Sequence, residues 1–232
     1  GNSVYELEEG SSHVGIKPEE EMTLRQSLYA LMLESANDAA SAIAVAVSGS
    51  VEEFAERMNR KAAELGLTDT HFVNPHGLDH PEHYSTARDL AVLTAYAMKN
   101  PIFYQTVSTK SVRVGNRSMQ NHNKLLWQVE GADGVKTGFT KAAGRILVSS
   151  ATRNGRRLIC VTLNDPNDWQ DHAALLENGF SCFEMRQVVK KDDVIATLDV
   201  AGSDSQQVQI LAAEDFSYAL SADEHPQLML SG

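Results

Sequence analysis

The sequence predicts an α+β fold in which an antiparallel sheet is flanked by helices. Helix signals cluster in the first hundred residues, strand signals follow from Lys110, and one long helical segment returns near residue 170. Because helices and strands are segregated along the chain, an antiparallel sheet is favoured over a doubly wound fold, in which the two alternate.

The composition is typical of a soluble globular protein. The 232 residues are 42% hydrophobic and 22% charged, enough for one sizeable core with room for a small second domain. The formal net charge of -11 argues against a surface for nucleic acid or anionic membranes. Two cysteines are too few for a disulfide framework. The longest apolar segment, Ala39 to Val47, is far shorter than the ~18 residues of a membrane span.

Four helices are predicted from capping signals and apolar periodicity. They run from Thr23 to about Glu34, from Ala39 to Val47, from Ser50 to Gly66, and from Ser85 or Thr86 to Met98. The second is apolar all round and should be buried, so the polar segment Ser35-Ala36-Asn37 lies between two packed helices. Asn100-Pro101 should stop the fourth helix.

Strand patterns begin after residue 110. The predicted strands cover residues 111–114, 117–120, 135–140, 145–152 and 156–163, and Asn154-Gly155 is a strong hairpin signal between the last two. A helix is predicted from Trp169 to Met185. The alternating segments Val194–Leu198 and Val208–Leu211 then indicate a β-rich region too small for a core of its own.

These patterns predict two domains. Residues 1–186 form the first, with a helical part at 20–108 and the sheet and C-terminal helix at 109–186. Residues 187–232 begin a β-rich second domain.

Two short motifs carry groups suited to acyl transfer. Lys136-Thr137-Gly138 supplies an ammonium, a hydroxyl and an open backbone on a predicted strand, where Lys136 and Gly138 share one face. Ser35-Ala36-Asn37 adds a hydroxyl and an amide, and the combination can relay a proton and orient an acyl substrate. Taken singly, the first motif also fits a plain turn and the second a helix junction with local caps.

The chain resembles the low-molecular-mass penicillin-binding proteins, the serine D-alanyl-D-alanine carboxypeptidases, over nearly all of its length. The matching segments are Leu31–Ala40, Asn74–Asp79, Tyr84–Ala91, Asn121–Trp127 and Gly131–Ala151. The resemblance implies the transpeptidase fold shared by penicillin-binding proteins and β-lactamases, incomplete at the N-terminus, with part of a small β-rich C-terminal domain.

The resemblance implies three catalytic residues. Ser35 would pass a proton to the leaving amine with help from Lys136, and Asn37 would hold the substrate amide.

It also implies three substrate-binding residues on the strand. Thr137 would bind the terminal carboxylate, and Gly138 would leave room for the substrate. The backbone amide of Phe139 would join the oxyanion hole. Many relatives have histidine at the position of Phe139, so no role is assigned to its side chain.

The nucleophile of this family lies in a Ser-x-x-Lys motif. No serine here is followed by lysine three residues later, and the family places the motif roughly sixty residues before Ser-x-Asn. We therefore expect a fragment of a carboxypeptidase that cannot form an acyl-enzyme alone. A binding homologue without a nucleophile is one alternative. A β-lactamase is another, disfavoured by Ser-Ala-Asn in place of Ser-Asp-Asn and by the want of an obvious glutamate-bearing loop.

The resemblance also implies the partners and the place of action. These are peptidoglycan stem peptides ending in D-Ala-D-Ala, and β-lactams as acylating inhibitors of the intact enzyme. The expected location is extracytoplasmic, at the outer face of the bacterial membrane, with membrane contact only through an anchor outside this chain. No nucleic acid, metal or organic cofactor is implied.

Histidines give two weaker signals. Four of them between residues 67 and 84 could ligate zinc, but their spacing follows no usual motif and no thiolate accompanies them, so a structural loop is favoured. Asp171 and His172 are adjacent on a predicted helix, so their side chains should point to different sides and form no triad.

Overall fold

The computed structural model describes residues 10–199 and 207–227, and the chain divides into two compact units, residues 1–176 and 177–232. The first unit contains helices and a three-stranded antiparallel sheet, and the second contains two two-stranded sheets. The domain division that we place after residue 186 stays a prediction.

The elements of the described residues follow the expected α+β order. The helices are α1 (Leu24–Glu34), α2 (Asn37–Ser48), α3 (Val51–Glu64), α4 (Ala87–Ala97), α5 (Pro101–Ser108), α6 (Leu125–Gln128) and α7 (Asp168–Cys182). The strands are β1 (Ser111–Val114), β2 (Arg117–Gln120), β3 (Ala132–Thr140), β4 (Gly144–Arg153), β5 (Arg156–Leu163), β6 (Glu184–Val189), β7 (Val194–Asp199), β8 (Gln207–Leu211) and β9 (Phe216–Leu220). No helix among the described residues is long and apolar enough to cross a membrane.

Local signals predict several boundaries correctly. The capping box at the start of α1 is confirmed, because Thr23 Oγ1 accepts from the Gln26 amide and Gln26 Oε1 accepts from the Thr23 amide. The hairpin between β4 and β5 is also confirmed, with φ of 50° at Asn154 and 76° at Gly155. Both turn residues thus have the positive φ that a type I′ turn requires.

Several boundaries differ from expectation. Helix α2 begins at Asn37 instead of Ala39, and β3 begins at Ala132 instead of Val135. Asn100-Pro101 ends α4 as predicted but also starts α5, because Asn100 Oδ1 accepts from the amides of Ile102 and Phe103 and proline suits the first helical position. The helix predicted to reach Met185 ends at Cys182. Strand β6 follows, because its pairing with β9 outweighs the local helical pattern.

The core of the first unit anchors the elements that carry the two motifs. One cluster joins α1 and α2 to the β1–β2 hairpin through Ala30, Leu33, Ala36, Ala39, Val114 and Met119. A second cluster includes Val107 of α5 together with Val135 and Val148 of the sheet. Helix α5 lies so close to β3 that a Cβ on Gly134 would stand 3.0 Å from Val107 Cγ2. The start of β3 is therefore fixed by packing.

Buried polar groups hold the same strand. The Asp133 carboxylate accepts hydrogen bonds from Ser150 at 2.5 Å, from Thr152 at 2.6 Å and from Arg157 at 3.2 Å. Asn123 donates its side-chain amide to the Gly134 carbonyl at 2.7 Å. These bonds satisfy groups that would otherwise be costly to bury, so the strand has little freedom to shift.

The second unit consists of β6 paired with β9 and β7 paired with β8. The two predicted strand segments, Val194–Leu198 and Val208–Leu211, are confirmed by β7 and β8. Most of their apolar side chains stay about half exposed, including the cross-strand pair Leu198 and Val208. Val189 of β6 and Leu220 of β9 are buried, and the expectation that this unit is too small for an independent core stays a prediction.

His172 links α7 to the sheet and is completely buried. Its Nδ1 lies 2.6 Å from Ser149 Oγ and its Nε2 lies 3.0 Å from Thr162 Oγ1, so both ring nitrogens are engaged by hydroxyls. Burial lowers the pKa of His172 to about 4, against the weaker opposing effect of Asp168 and Asp165. Because Ser149 is also fully buried, this pair is a structural contact without access for a substrate.

We expect the free energy of unfolding to decrease at acidic pH, and protonation of His172 to account for part of the decrease. Its pKa is about 4 in the folded protein against an ordinary 6.5, so the unfolded chain binds the proton more tightly. The contribution of neutral His172 to the free energy of unfolding is complete above pH 6.5. It is lost as the pH falls toward 4, which lowers that free energy by on the order of 3 kcal/mol. Urea unfolding of the wild type and of His172→Gln at pH 7 and pH 4.5 measures it. Equal pH dependence in the two proteins would contradict the prediction.

Candidate active site

Ser35 and Lys136 meet although 101 positions separate them. Lys136 Nζ donates a hydrogen bond to Ser35 Oγ at 2.9 Å and another to the Thr137 carbonyl at 2.6 Å. Ser35 ends α1 in the left-handed region, with φ of 57° and ψ of 38°. That conformation costs a non-glycine residue about 1–2 kcal/mol, and such strain concentrates at functional sites.

Asn37 is held beside this contact by the start of α2. It is the first residue of the helix, is 6% exposed, and donates its backbone amide to the Ser12 carbonyl at 2.9 Å. The Asp38 carboxylate accepts from the amides of Val14 at 3.3 Å and Ile16 at 2.9 Å. Hydrogen bonds from the residues before α1 therefore hold the junction between α1 and α2 in place, and the backbone of Asn37 has a defined position.

Sequence reasoning missed Asp38 as the residue that organises this junction. The available signal was an acidic residue in the first turn of a helix, where it complements the helix dipole. That signal does not reveal which distant amides the carboxylate binds.

The protonation of Lys136 is tuned by burial. Removal from water lowers the pKa of its ammonium from the ordinary 10.5 to about 8, and among the described residues no carboxylate forms an ion pair with it. An ammonium whose pKa is near neutrality can give up and regain a proton at low cost. The lowered pKa is compatible with a proton relay through Ser35, and that role stays a prediction.

The end of β3 presents an open backbone. Thr137 is partly exposed, Gly138 is exposed, and the Phe139 side chain is 69% exposed. A Cβ at Gly138 would meet Ile146 at 3.6 Å, an ordinary contact, and Gly138 does not have the positive φ that favours glycine. Since packing does not demand glycine here, its absent side chain is better explained by a ligand lying along the strand.

The histidine-rich segment forms a loop that is held by hydrogen bonds, and its Asp79 accepts a hydrogen bond from Thr140 at the end of β3. The ring nitrogens Nδ1 of His76, His80 and His83 accept from nearby loop amides, and His71 Nδ1 lies 2.6 Å from the Glu82 carbonyl. Burial lowers the pKa of His76 and of His83. Across residues 10–199 and 207–227, no group of three potential ligands is arranged to hold a metal ion.

The structure thus brings together both motifs singled out in the sequence. Ser35 and Lys136 are hydrogen-bonded, Asn37 lies at the adjacent helix start, and Thr137, Gly138 and Phe139 continue along β3. The roles assigned to these six residues stay predictions. A serine and a lysine in contact across a helix junction and a sheet edge, beside an open strand, define the class of penicillin-interactive serine enzymes.

Comparison with known proteins gives the family. Residues 1–167 match the family model described as D-alanyl-D-alanine carboxypeptidase, and residues 183–231 match the model described as penicillin-binding protein 5, C-terminal domain. The chain belongs to the D-alanyl-D-alanine carboxypeptidase family. The predicted resemblance and fold class are confirmed.

Individual relatives show the extent of the match. The chain is similar to the D-alanyl-D-alanine carboxypeptidase DacF of Bacillus subtilis, with 32% identity over 90% of this chain and 56% of the relative. It is similar to DacB2 of Mycobacterium tuberculosis, with 40% identity over 72% and 62%. It also resembles the crystal structure of penicillin binding protein 5 from Haemophilus influenzae, with a TM-score of 0.81, 32% identity and coverage of 93% and 64%. The chain therefore spans less than two thirds of each of these proteins.

We expect Lys136 to titrate well below an ordinary lysine. Burial should place its midpoint near pH 8, because the charged form loses hydration in the cleft. A carbon-detected NMR titration of the lysine Cε resonances measures the midpoint, and the spectrum of Lys136→Met assigns the signal. A midpoint close to 10.5 would contradict the effect of burial.

Proposed function

We propose that the intact protein containing this chain is a serine D-Ala-D-Ala carboxypeptidase, which removes the terminal D-Ala from peptidoglycan stem peptides. The observation that carries the proposal is the 2.9 Å hydrogen bond from Lys136 to Ser35, which unites the two motifs of this chain. Membership in the family supports the substrate class.

The proposed reaction passes through an acyl-enzyme. A serine of a Ser-x-x-Lys motif, supplied from outside this chain, gives its proton to the lysine of that motif and attacks the penultimate D-Ala carbonyl, and the bond to the terminal D-Ala breaks. The leaving amine takes a proton from the Ser35 hydroxyl, and the Lys136 ammonium donates a proton to Ser35 in its place. Water then hydrolyses the ester and frees the serine.

The remaining residues of the site bind and orient the substrate. Asn37 holds the substrate amide, and Thr137 binds the terminal carboxylate. Gly138 admits the substrate backbone to the edge of β3, and the Phe139 amide donates to the oxyanion that forms during attack. β-Lactams act as inhibitors by acylating the same serine. Peptidoglycan strands are assembled outside the cytoplasm, so the intact protein works there.

This 232-residue chain alone should not be labelled covalently by a fluorescent penicillin. None of its serines stands in Ser-x-x-Lys, and Ser35 is assigned to proton transfer. Gel fluorescence after incubation with the labelled antibiotic measures the outcome, with an intact homologue as positive control. A labelled band would overturn the assignment of the nucleophile to another segment.

Reading the coding sequence upstream of residue 1 gives a second check, since a Ser-x-x-Lys codon pattern there excludes a purely binding homologue.

Replacing Lys136 in the intact protein should slow acylation by on the order of a hundredfold or more, because a charged contact to the reacting groups is lost. Stopped-flow acylation by penicillin measures the rate for Lys136→Ala. Lys141→Ala is the matched control, since Lys141 is exposed in the turn after β3 and should acylate normally. Near-normal acylation of Lys136→Ala would refute the proposed role.

A further inference from the structure

An open cavity of about 820 Å³ is lined in part by Glu34, the residue that precedes Ser35. Its lining includes Glu34, Gln120, His122, Lys124, Trp127 and Gln128. Glu34 directly precedes Ser35, and Asn123, between two of the lining residues, donates to the Gly134 carbonyl at the start of the motif strand. The cavity and the candidate active site are therefore built on the same segments of chain.

The polar wall of the cavity is fixed by hydrogen bonds. Glu34 Oε1 accepts from the Gln120 amide at 2.6 Å, and Glu34 Oε2 lies 3.4 Å from His122 Nε2. Asn121 is buried in the lining and donates its side-chain amide to the carbonyls of Val107 and Thr109. A site held in this way loses little conformational entropy when a ligand binds.

Trp127 supplies the apolar surface of the cavity. The two preceding residues of α6, Leu125 and Leu126, are buried, and this turn of helix leaves the Trp127 side chain 47% exposed. Lys110 Nζ lies 5.7 Å from the centre of the indole ring. Trp127 thus presents an exposed aromatic ring on an element whose two preceding side chains are packed, and such a ring can stack on a ligand.

The composition of the lining selects the kind of ligand. It has no aliphatic side chain, which disfavours a lipid or another purely apolar molecule. A flat aromatic ring accompanied by amides, the Ser118 hydroxyl, the Glu34 carboxylate, and the Lys124 and His122 side chains can bind both sides of a sugar. The C–H face of the sugar ring stacks on the indole, while its hydroxyls and any acetamide group pair with the polar side chains.

We propose that this cavity is a subsite for an N-acetylated sugar of the glycan strand. The inference rests on the proposed function, in which the scissile peptide is a stem attached to that strand. Five residues span at most about 17 Å when extended, so the sugar that carries the stem can reach a cavity whose lining includes the neighbour of Ser35. The protein then distinguishes stems that are linked to glycan from free peptides.

A binding experiment on the 232-residue chain tests the sugar subsite directly. Tri-N-acetylchitotriose is titrated by calorimetry and by fluorescence of Trp169→Phe, in which Trp127 is the one tryptophan left. Trp127→Ala should weaken binding at least tenfold, and Trp127→Phe, which keeps a flat ring, should weaken it less. Tyr96→Ala is the matched control, because Tyr96 is also an exposed aromatic residue beside a lysine but does not line the cavity. No saturable binding, or equal binding by Trp127→Ala, would overturn the proposal.

A kinetic experiment on the intact protein separates this inference from the proposed function. Release of D-Ala is measured from a free pentapeptide and from the same peptide linked to its disaccharide. Trp127→Ala should lower kcat/KM about tenfold for the sugar-linked substrate and leave that for the free peptide unchanged. Equal effects on both substrates would refute the subsite, whereas failure of the wild type to cleave either would refute the carboxypeptidase assignment.

Discussion

The hydrogen bond from the Lys136 ammonium to the Ser35 hydroxyl lies where the positive charge of the lysine is largely removed from water. Placing an ammonium in a mostly buried position is unfavourable unless its donors find acceptors, and here the serine hydroxyl and the Thr137 carbonyl supply them. The same burial moves the pKa of Lys136 to about 8, so one arrangement both connects the two motifs and makes the ammonium easier to deprotonate. The helical part and the sheet must hold their relative position for the contact to persist.

Packing and hydrogen bonds elsewhere in the first unit restrict the movement of β3 and of the helical part. On the sheet side, Asp133 binds three neighbouring side chains, and Val107 of α5 packs against Gly134, so β3 is held from both its flank and its face. On the helical side, Asp38 fastens the residues before α1 to the start of α2. Neither anchor touches the Ser35–Lys136 pair, yet each limits the movement of one of its partners.

How much of this could be predicted depended on the range of each interaction. The capping box at Thr23 and the turn at Asn154-Gly155 are local, so their residues alone indicated them. Helix α5 was missed because Asn100-Pro101 signals an end and a start equally well, and β6 was missed because it depends on pairing with β9. The meeting of the two motifs followed from resemblance to a family, since periodicity places neither motif relative to the other.

Gly138 carries a consequence for the history and engineering of this cleft. Its backbone does not require glycine, and an added methyl group would meet only ordinary contacts with Ile146. Alanine at this position therefore adds one carbon to the exposed edge of β3 without disturbing the sheet behind it. The fold and the shape of that edge can change independently at this residue, by evolution or by design.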